Sequence, residues 1–113
     1  MKTAELTGPA LDWAVAKCEG KGALLCGKVV LIDNDTAVIA QLRYSTDWAQ
    51  GGPIIEKEGI DVLKDGAGWT ALKTATAHHG HIRMHGPTPL IAAMRCYVAS
   101  KLGDEVEIPE ELK

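Results

Sequence analysis

Residues 44–56 of this chain, YSTDWAQGGPIIE, combine residue types that begin helices with residue types that interrupt them. Ser45, Thr46 and Asp47 carry side-chain oxygens that accept hydrogen bonds from the free N–H groups of a helix N-terminus. The double glycine that follows disfavours a continuous helix, because each Gly costs about 1 kcal/mol relative to Ala. Pro53 also disfavours a continuous helix, since the residue before a proline avoids the α region. The stretch therefore predicts the start of a helix and an interruption close behind it.

Two structures fit this stretch. In the first, Ser45 or Thr46 caps a helix that Pro53 kinks. In the second, residues 45–52 form a turn or a short helical piece, and the main helix starts at Pro53. We favour a broken helix with Gly59 as its stop signal.

Two further helices are predicted near the ends of the chain. In each, a Gly-Pro pair (residues 8–9 and 86–87) precedes apolar residues at helical spacing, and Gly20 and Gly103 follow as stops. A third Gly-Pro pair lies in the opening stretch. We therefore interpret the pair as the start of a helix at all three places.

The segments between these helices have the pattern of strands. Residues 22–42 contain short apolar runs rich in β-branched side chains and separated by turn signals, which predicts a β-meander or a pair of hairpins. Residues 60–63, 69–76 and 81–85 predict further strands. This order is typical of an α+β fold: a compact sandwich of a mainly antiparallel sheet with about three helices. We expect one domain over residues 1–103, followed by an acidic C-terminal tail over residues 104–113 that trails away.

Composition limits the classes of partner. The net charge is only −3, and the last ten residues hold five of the fifteen acidic residues, so no basic field favours duplex nucleic acid. No apolar run has membrane length and no signal peptide is present, which argues against a membrane partner. Cys18, Cys26 and Cys96 lack metal-ligand spacing and fit reduced thiols of a cytoplasmic protein.

The core must be built from small and aliphatic side chains, because aromatic residues make up 4% of the chain and Phe is absent. Such side chains bury little apolar area each, at roughly 25 cal/mol per Å². Further burial between copies would add stability, so we expect a homo-oligomer.

A catalytic or metal site is not predicted. His78, His79, His81 and His85 are close in sequence, and imidazole is a common metal ligand. However, no second ligand group accompanies them, and loop histidines are often simply solvated. Hydrolase and phosphate-loop glycine motifs are absent. We therefore predict no catalytic residues, no metal and no cofactor.

The better supported prediction is a site for a small anion or nucleotide. Backbone N–H groups at a helix start attract anions, and Trp48 could stack a base. The alternative is that the hydroxyls and Asp47 only cap a helix and that Trp48 packs in the core. The predicted ligand-binding residues are Arg43, Ser45, Thr46, Asp47, Trp48, Gln50, Gly51, Gly52, Thr88 and Arg95.

Three blocks of the sequence resemble the NinX family of tailed bacteriophages. They are residues 7–19 (TGPALDWAVAKCE), 45–56 (STDWAQGGPIIE) and 86–103 (GPTPLIAAMRCYVASKLG). The resemblance implies a non-structural accessory protein made in an infected bacterium and located in its cytoplasm. It implies no catalytic or binding residues.

Accessory proteins of this class often act against host defence, an inference from class alone. Our leading hypothesis is therefore a counter-defence protein that binds and sequesters a small anionic ligand, such as a cyclic nucleotide immune signal, without turning it over. The predicted pocket lies where residues 45–53 meet the start of the last helix. The alternatives are an inhibitor or adaptor that binds a host protein through the acidic tail or an exposed Trp, and a small hydrolase that uses the histidines.

Overall fold

The computed structural model describes residues 1–27, 29–33, 39–74 and 81–113. The helices of this part are α1 (Gly8–Cys18), α2 (Trp48–Glu58) and α3 (Pro89–Leu102), with short 3₁₀ turns at Thr3–Glu5 and Glu110–Leu112. The strands are β1 (Ala23–Cys26), β2 (Val29–Asp33), β3 (Ile39–Gln41), β4 (Asp61–Asp65), β5 (Gly68–Thr74) and β6 (His81–Gly86). The predicted loop at His78 and His79 and the turn at residues 34 and 35 lie outside the described residues.

All strand pairs in the described residues are antiparallel. The strands form two three-stranded meanders, in the orders β1-β2-β3 and β4-β5-β6. A short turn at Gly66 and Ala67 joins β4 to β5, and antiparallel pairing is what such a turn allows. The predicted α+β class with three helices is confirmed, and its antiparallel strands are divided between two sheets.

Helix α3 is the centre of the core. It packs against β4, β5 and β6 on one side and against α1 and α2 on others. Its buried residues are Leu90, Ile91, Ala92, Ala93, Met94, Cys96, Tyr97 and Val98. An almost wholly apolar helix is expected to be covered on most sides, so its sequence pattern and its position agree.

Helix α2 is continuous, and the predicted break at Pro53 is wrong. It starts at Trp48 and ends at Glu58, with Pro53 inside it. Gly59 terminates it in the left-handed conformation, at φ 65°, as the sequence indicated. The pair at residues 52–53 is therefore interior to the helix and does not start it.

Packing explains why a glycine is tolerated inside α2. A Cβ on Gly51 would lie 2.7 Å from Leu90 Cδ1 and closer still to the carbonyl oxygen of Tyr44. The missing side chain lets α2 approach both α3 and the preceding turn. Tertiary contact therefore outweighs the low helix propensity of glycine here.

The other two helices start at Thr residues. Thr7 holds the N-cap position of α1 but makes no side-chain cap, whereas Thr88 Oγ1 accepts a hydrogen bond from Ile91 N at 3.1 Å. Helix α3 thus starts at the Thr88-Pro89 step and not at residues 86–87. Gly86 instead ends β6, where a Cβ would lie 2.7 Å from Ala92 N.

The C-terminal segment packs on the body, so the prediction that residues 104–113 trail away is wrong. The N–H of Thr3 donates to Asp104 O at 2.8 Å, and that of Val106 donates to Met1 O at 2.9 Å. Val106, Ile108 and Leu112 are buried in the core. The acidic side chains of the segment alternate with these apolar ones, and the sequence interpretation weighed only the charges.

Among the helices of the described residues, none has both the length and the apolar character needed to cross a lipid bilayer.

Candidate functional site

A small pocket of about 190 Å³ lies where the start of α2 meets the start of α3, at the predicted place. It is lined by Ser45, Thr46, Trp48, Thr88, Leu90 and Ile91. Four of the predicted ligand-binding residues, from two helix starts more than 40 positions apart in sequence, thus share one pocket.

Two features of this pocket stand out. Ser45 is 1% exposed, and its buried hydroxyl has no hydrogen-bond partner among the described residues. Trp48 is 55% exposed, so the alternative in which it packs in the core is wrong. An unpaired buried hydroxyl costs about 1–3 kcal/mol, and an exposed indole is a common anchor for a binding partner.

Asp12 of α1 holds the turn that carries Ser45 from the buried side. The backbone N–H of Ser45 donates to Asp12 Oδ1 at 2.8 Å. Burial raises the pKa of Asp12, while the N–H and the nearby side chain of Ser45 and the charge of Arg43 act in the opposite direction. A buried carboxyl therefore supports the start of α2, and nothing local in the sequence indicated it.

A larger groove of about 470 Å³ lies on another side of α2. Its lining residues are Glu19, Lys21, Gln41, Leu42, Tyr44, Ala49, Gln50, Pro53, Ile54 and Lys57. Of the predicted ligand-binding residues, only Gln50 lines this groove.

The charged side chains of the groove form an ordered set. Lys57 Nζ lies 3.3 Å from Glu19 Oε2, and the Tyr97 hydroxyl donates to the same carboxylate oxygen. Burial acts to raise the pKa of Glu19, but the hydrogen bonds from Tyr97 and Lys57 outweigh it and lower this pKa. Lys21 lies over the ring of Tyr44, 6.0 Å from its centroid. The groove thus holds two ammonium groups and one ionised carboxylate.

Gln50 joins α2 to the strand at the edge of the groove. The backbone N–H of Arg43 donates to Gln50 Oε1 at 2.7 Å, and Gln50 Nε2 donates to Gln41 O at 3.1 Å. The Arg43 guanidinium in turn donates to Gln41 Oε1 at 2.9 Å. Arg43 therefore lies beside the groove.

The remaining predicted residues have structural contacts. Asp47 caps α2 by accepting from Ala49 N at 2.9 Å. Gly51 packs under the preceding turn, and Gly52 lies beside the ring of Trp48. The guanidinium of Arg95 donates to Leu6 O at 2.7 Å and to His85 O at 2.8 Å, so it joins the N-terminal segment to β6 and lines neither pocket.

The two described histidines lie on β6, away from both pockets. His85 Nδ1 is 2.8 Å from Thr70 Oγ1, and this hydroxyl donates to Asp65 Oδ2 at 2.8 Å. His81 lines a separate cleft beside Asp61. Within the described residues, no three His, Cys, Asp or Glu side chains are grouped to hold a metal ion.

Sequence reasoning missed Glu19, Lys21 and Lys57 of the groove. Lys57 could have been found, since it follows Gln50 by seven residues and therefore shares its helix face. Glu19 and Lys21 come just after α1, and only the folded chain brings them to α2.

No curated protein matches the chain. The family model described as "Bacteriophage P22, NinX" matches residues 2–101 of the 113. The match covers both pockets, helices α1 and α2, nearly all of α3 and the described strands, and the chain therefore belongs to the NinX family of phage accessory proteins.

Proposed function

We propose that this phage accessory protein binds a small anionic ligand in the groove beside α2 and holds it without chemical change. The observation that carries the proposal is the groove itself, about 470 Å³ in volume with Lys21 and Lys57 in its lining. Small-molecule sites usually enclose about 300–1,000 Å³, so a nucleotide fits this volume, whereas the 190 Å³ pocket is too small.

The groove has the two kinds of surface that a nucleotide presents. Leu42, Tyr44 and Ile54 are buried and form an apolar wall against which a flat base can pack. Lys21 and Lys57 supply charge for a phosphate group. We propose a cyclic or linear nucleotide immune signal of the infected bacterium as the ligand, and sequestration in the host cytoplasm as the counter-defence action.

Binding without turnover is supported by the residue types of the lining. The ten residues around the groove, all in the described part of the chain, include no Ser, Thr, Cys or His. The hydroxyl and thiol nucleophiles of Ser, Thr and Cys and the imidazole of His are thus missing from the lining. The one carboxylate of the lining, Glu19, is engaged by Lys57 and by the Tyr97 hydroxyl.

Calorimetric titration with a panel of cyclic and linear nucleotides tests the proposal. We expect one member to bind, and the double substitution K21A/K57A to weaken that binding at least tenfold. Lys64→Ala is the matched control, because it removes the same charge from β4, where Lys64 lies over Trp69. The proposal fails if no nucleotide gives heat and none is released on denaturation of protein purified from infected cells.

A second candidate function is supported by Trp48. This indole is 55% exposed beside the small pocket formed by Ser45, Thr46 and Thr88, an arrangement suited to a protein–protein anchor. We propose a host protein as the alternative partner. Trp48→Ala should then abolish co-purification of that protein while leaving nucleotide binding unchanged, with Leu63→Ala as control for another exposed apolar side chain.

A further inference from the structure

The sheet β4-β5-β6 has one face on α3 and one face directed away from it. On the α3 side, Val62, Trp69, Ile82 and Met84 pack against the core. Side chains alternate along a strand, so the intervening residues share the other face. The members of this open face are Asp61, Leu63 and Asp65 on β4, Thr70, Leu72 and Thr74 on β5, and His81, Arg83 and His85 on β6.

The open face carries two leucines, one on β4 and one on β5, and opposite charges on its two border strands. Leu63 is 53% exposed, and Leu72 lies beside it, partly exposed. The carboxylates of Asp61 and Asp65 are on β4, and the guanidinium of Arg83 is on β6, with β5 between them. The face therefore has an acidic edge and a basic edge.

We propose that this open face docks against the same face of a second copy of the chain, about a two-fold axis parallel to the strands. That rotation reverses the order of the strands across the sheet, so the acidic β4 of each copy lies over the basic β6 of the other. A two-fold axis perpendicular to the strands would instead place β4 over β4, acid against acid. Charge complementarity thus selects both the occupant and the orientation.

The strand register defines the contacts. Asp61, Leu72 and Arg83 form one row across the sheet. The rotation leaves each row at the same position along the strand direction. Asp61 of one copy therefore faces Arg83 of the other, and the symmetry produces this pair two times. Leu72 lies on the axis and contacts Leu72 of the second copy. Packed sheets lie about 10 Å apart, a gap that Asp and Arg side chains together can span.

The size of the face predicts a weak dimer. Three strands about 4.8 Å apart and about 20 Å long present less area than the roughly 800 Å² per partner of a standard interface. Its charge pairs are at the rim, where salt screens them. We expect a dimer that forms at high protein concentration and dissociates at high salt.

Charge reversal tests this interface by sedimentation equilibrium over a concentration series. D61R and R83D should each weaken association at least tenfold, because each places like charges opposite one another. The double variant D61R/R83D restores both pairs in reversed order and should recover dimerisation. Glu56→Arg, an equal change of charge at an exposed position on α2, should leave association unchanged.

A cross-link provides a second measurement if a charge variant fails to fold. Cysteine placed at Leu72 lies on the axis, so L72C in a C18S/C26S background should be joined to its counterpart by a short bis-maleimide. That background alone, and the same background with Glu56→Cys, should not be joined. A wild-type protein that stays monomeric at about 1 mM in low salt overturns the proposal. A dimer that D61R, R83D and 1 M salt leave intact overturns it as well.

Discussion

The backbone N–H of Ser45 donates to Asp12 Oδ1 at 2.8 Å, which joins the middle of α1 to the turn that starts α2. Both residues are buried, Asp12 at 6% and Ser45 at 1% exposure. This single bond fixes the turn between the small pocket and the groove. Its loss is therefore expected to disturb both candidate sites.

Asp12→Ala should lower the free energy of unfolding by about 1–3 kcal/mol, because it leaves the buried Ser45 N–H without an acceptor. Asp12→Asn keeps an oxygen at the same place and should lower the free energy of unfolding by less. Urea denaturation of the two variants measures the difference. Equal losses in both would show that the hydrogen bond is not the cause.

The same carboxyl gives stability a pH dependence of unusual sign. Burial raises the pKa of Asp12 above 3.8, so the folded protein binds this proton more tightly than the unfolded chain does. The stabilisation is thus fully present below pH 3.8 and is lost as pH rises through the folded-state pKa. The unfolding free energy of wild type minus that of Asp12→Asn should therefore fall from pH 3.8 towards neutrality. A difference that rises over this range would contradict the assignment.

Glu19 should give the free energy of unfolding the opposite dependence on pH. Its pKa is lowered because the hydrogen bonds from Tyr97 and Lys57 outweigh burial, so its stabilisation is present above pH 4.5 and is lost as pH falls through the lowered pKa. Tyr97→Phe removes one of these donors and should move the acid-unfolding midpoint to higher pH. Lys57→Ala should move it less, since that side chain is 58% exposed. Circular dichroism measured as a function of pH compares the variants. An unchanged acid-unfolding midpoint in Tyr97→Phe would refute the stabilising role of the Tyr97–Glu19 hydrogen bond.

The adjacent glycines of α2 should respond in opposite ways to the same substitution. Gly51→Ala forces a methyl group into Leu90 and the Tyr44 carbonyl and should destabilise by about 1–3 kcal/mol or more. Gly52→Ala places its methyl 3.7 Å from Trp48 Cε3, an ordinary contact, and should gain up to about 1 kcal/mol of helix propensity. Thermal melting of the pair provides the measurement. A Gly51→Ala protein as stable as Gly52→Ala would show that the close approach is not required.

Deletion of residues 104–113 should destabilise the protein by more than about 3 kcal/mol, because it removes the buried Val106, Ile108 and Leu112. Replacement of the acidic residues Glu107, Glu110 and Glu111 by Gln is the control and should leave stability nearly unchanged, since these side chains are exposed. Chemical denaturation measures both changes. A deletion variant with wild-type stability would show that this packing is dispensable. Loss of function on deletion alone therefore cannot identify the segment as a contact surface.

The candidate site was predictable only in part. The hydroxyls and Trp48 of residues 45–48 and the Thr88 cap could be recognised because helix starts have local chemical signatures. Arg95 could not be placed, since its acceptors are the carbonyls of Leu6 and His85, which are far from it in sequence or on another element. Whether the predicted residues bind a ligand stays a prediction.

The sequence by itself determined the helix and strand order, the α+β class, the Gly59 stop and the family, because periodicity, turn residues and motif spacing are local properties. Only the tertiary structure decided that α2 runs through Pro53, that residues 104–113 return to the core, and that Glu19, Lys21 and Lys57 meet in one groove. These outcomes depend on packing between segments distant in sequence. The energy of such packing exceeds the local preferences that the sequence displays.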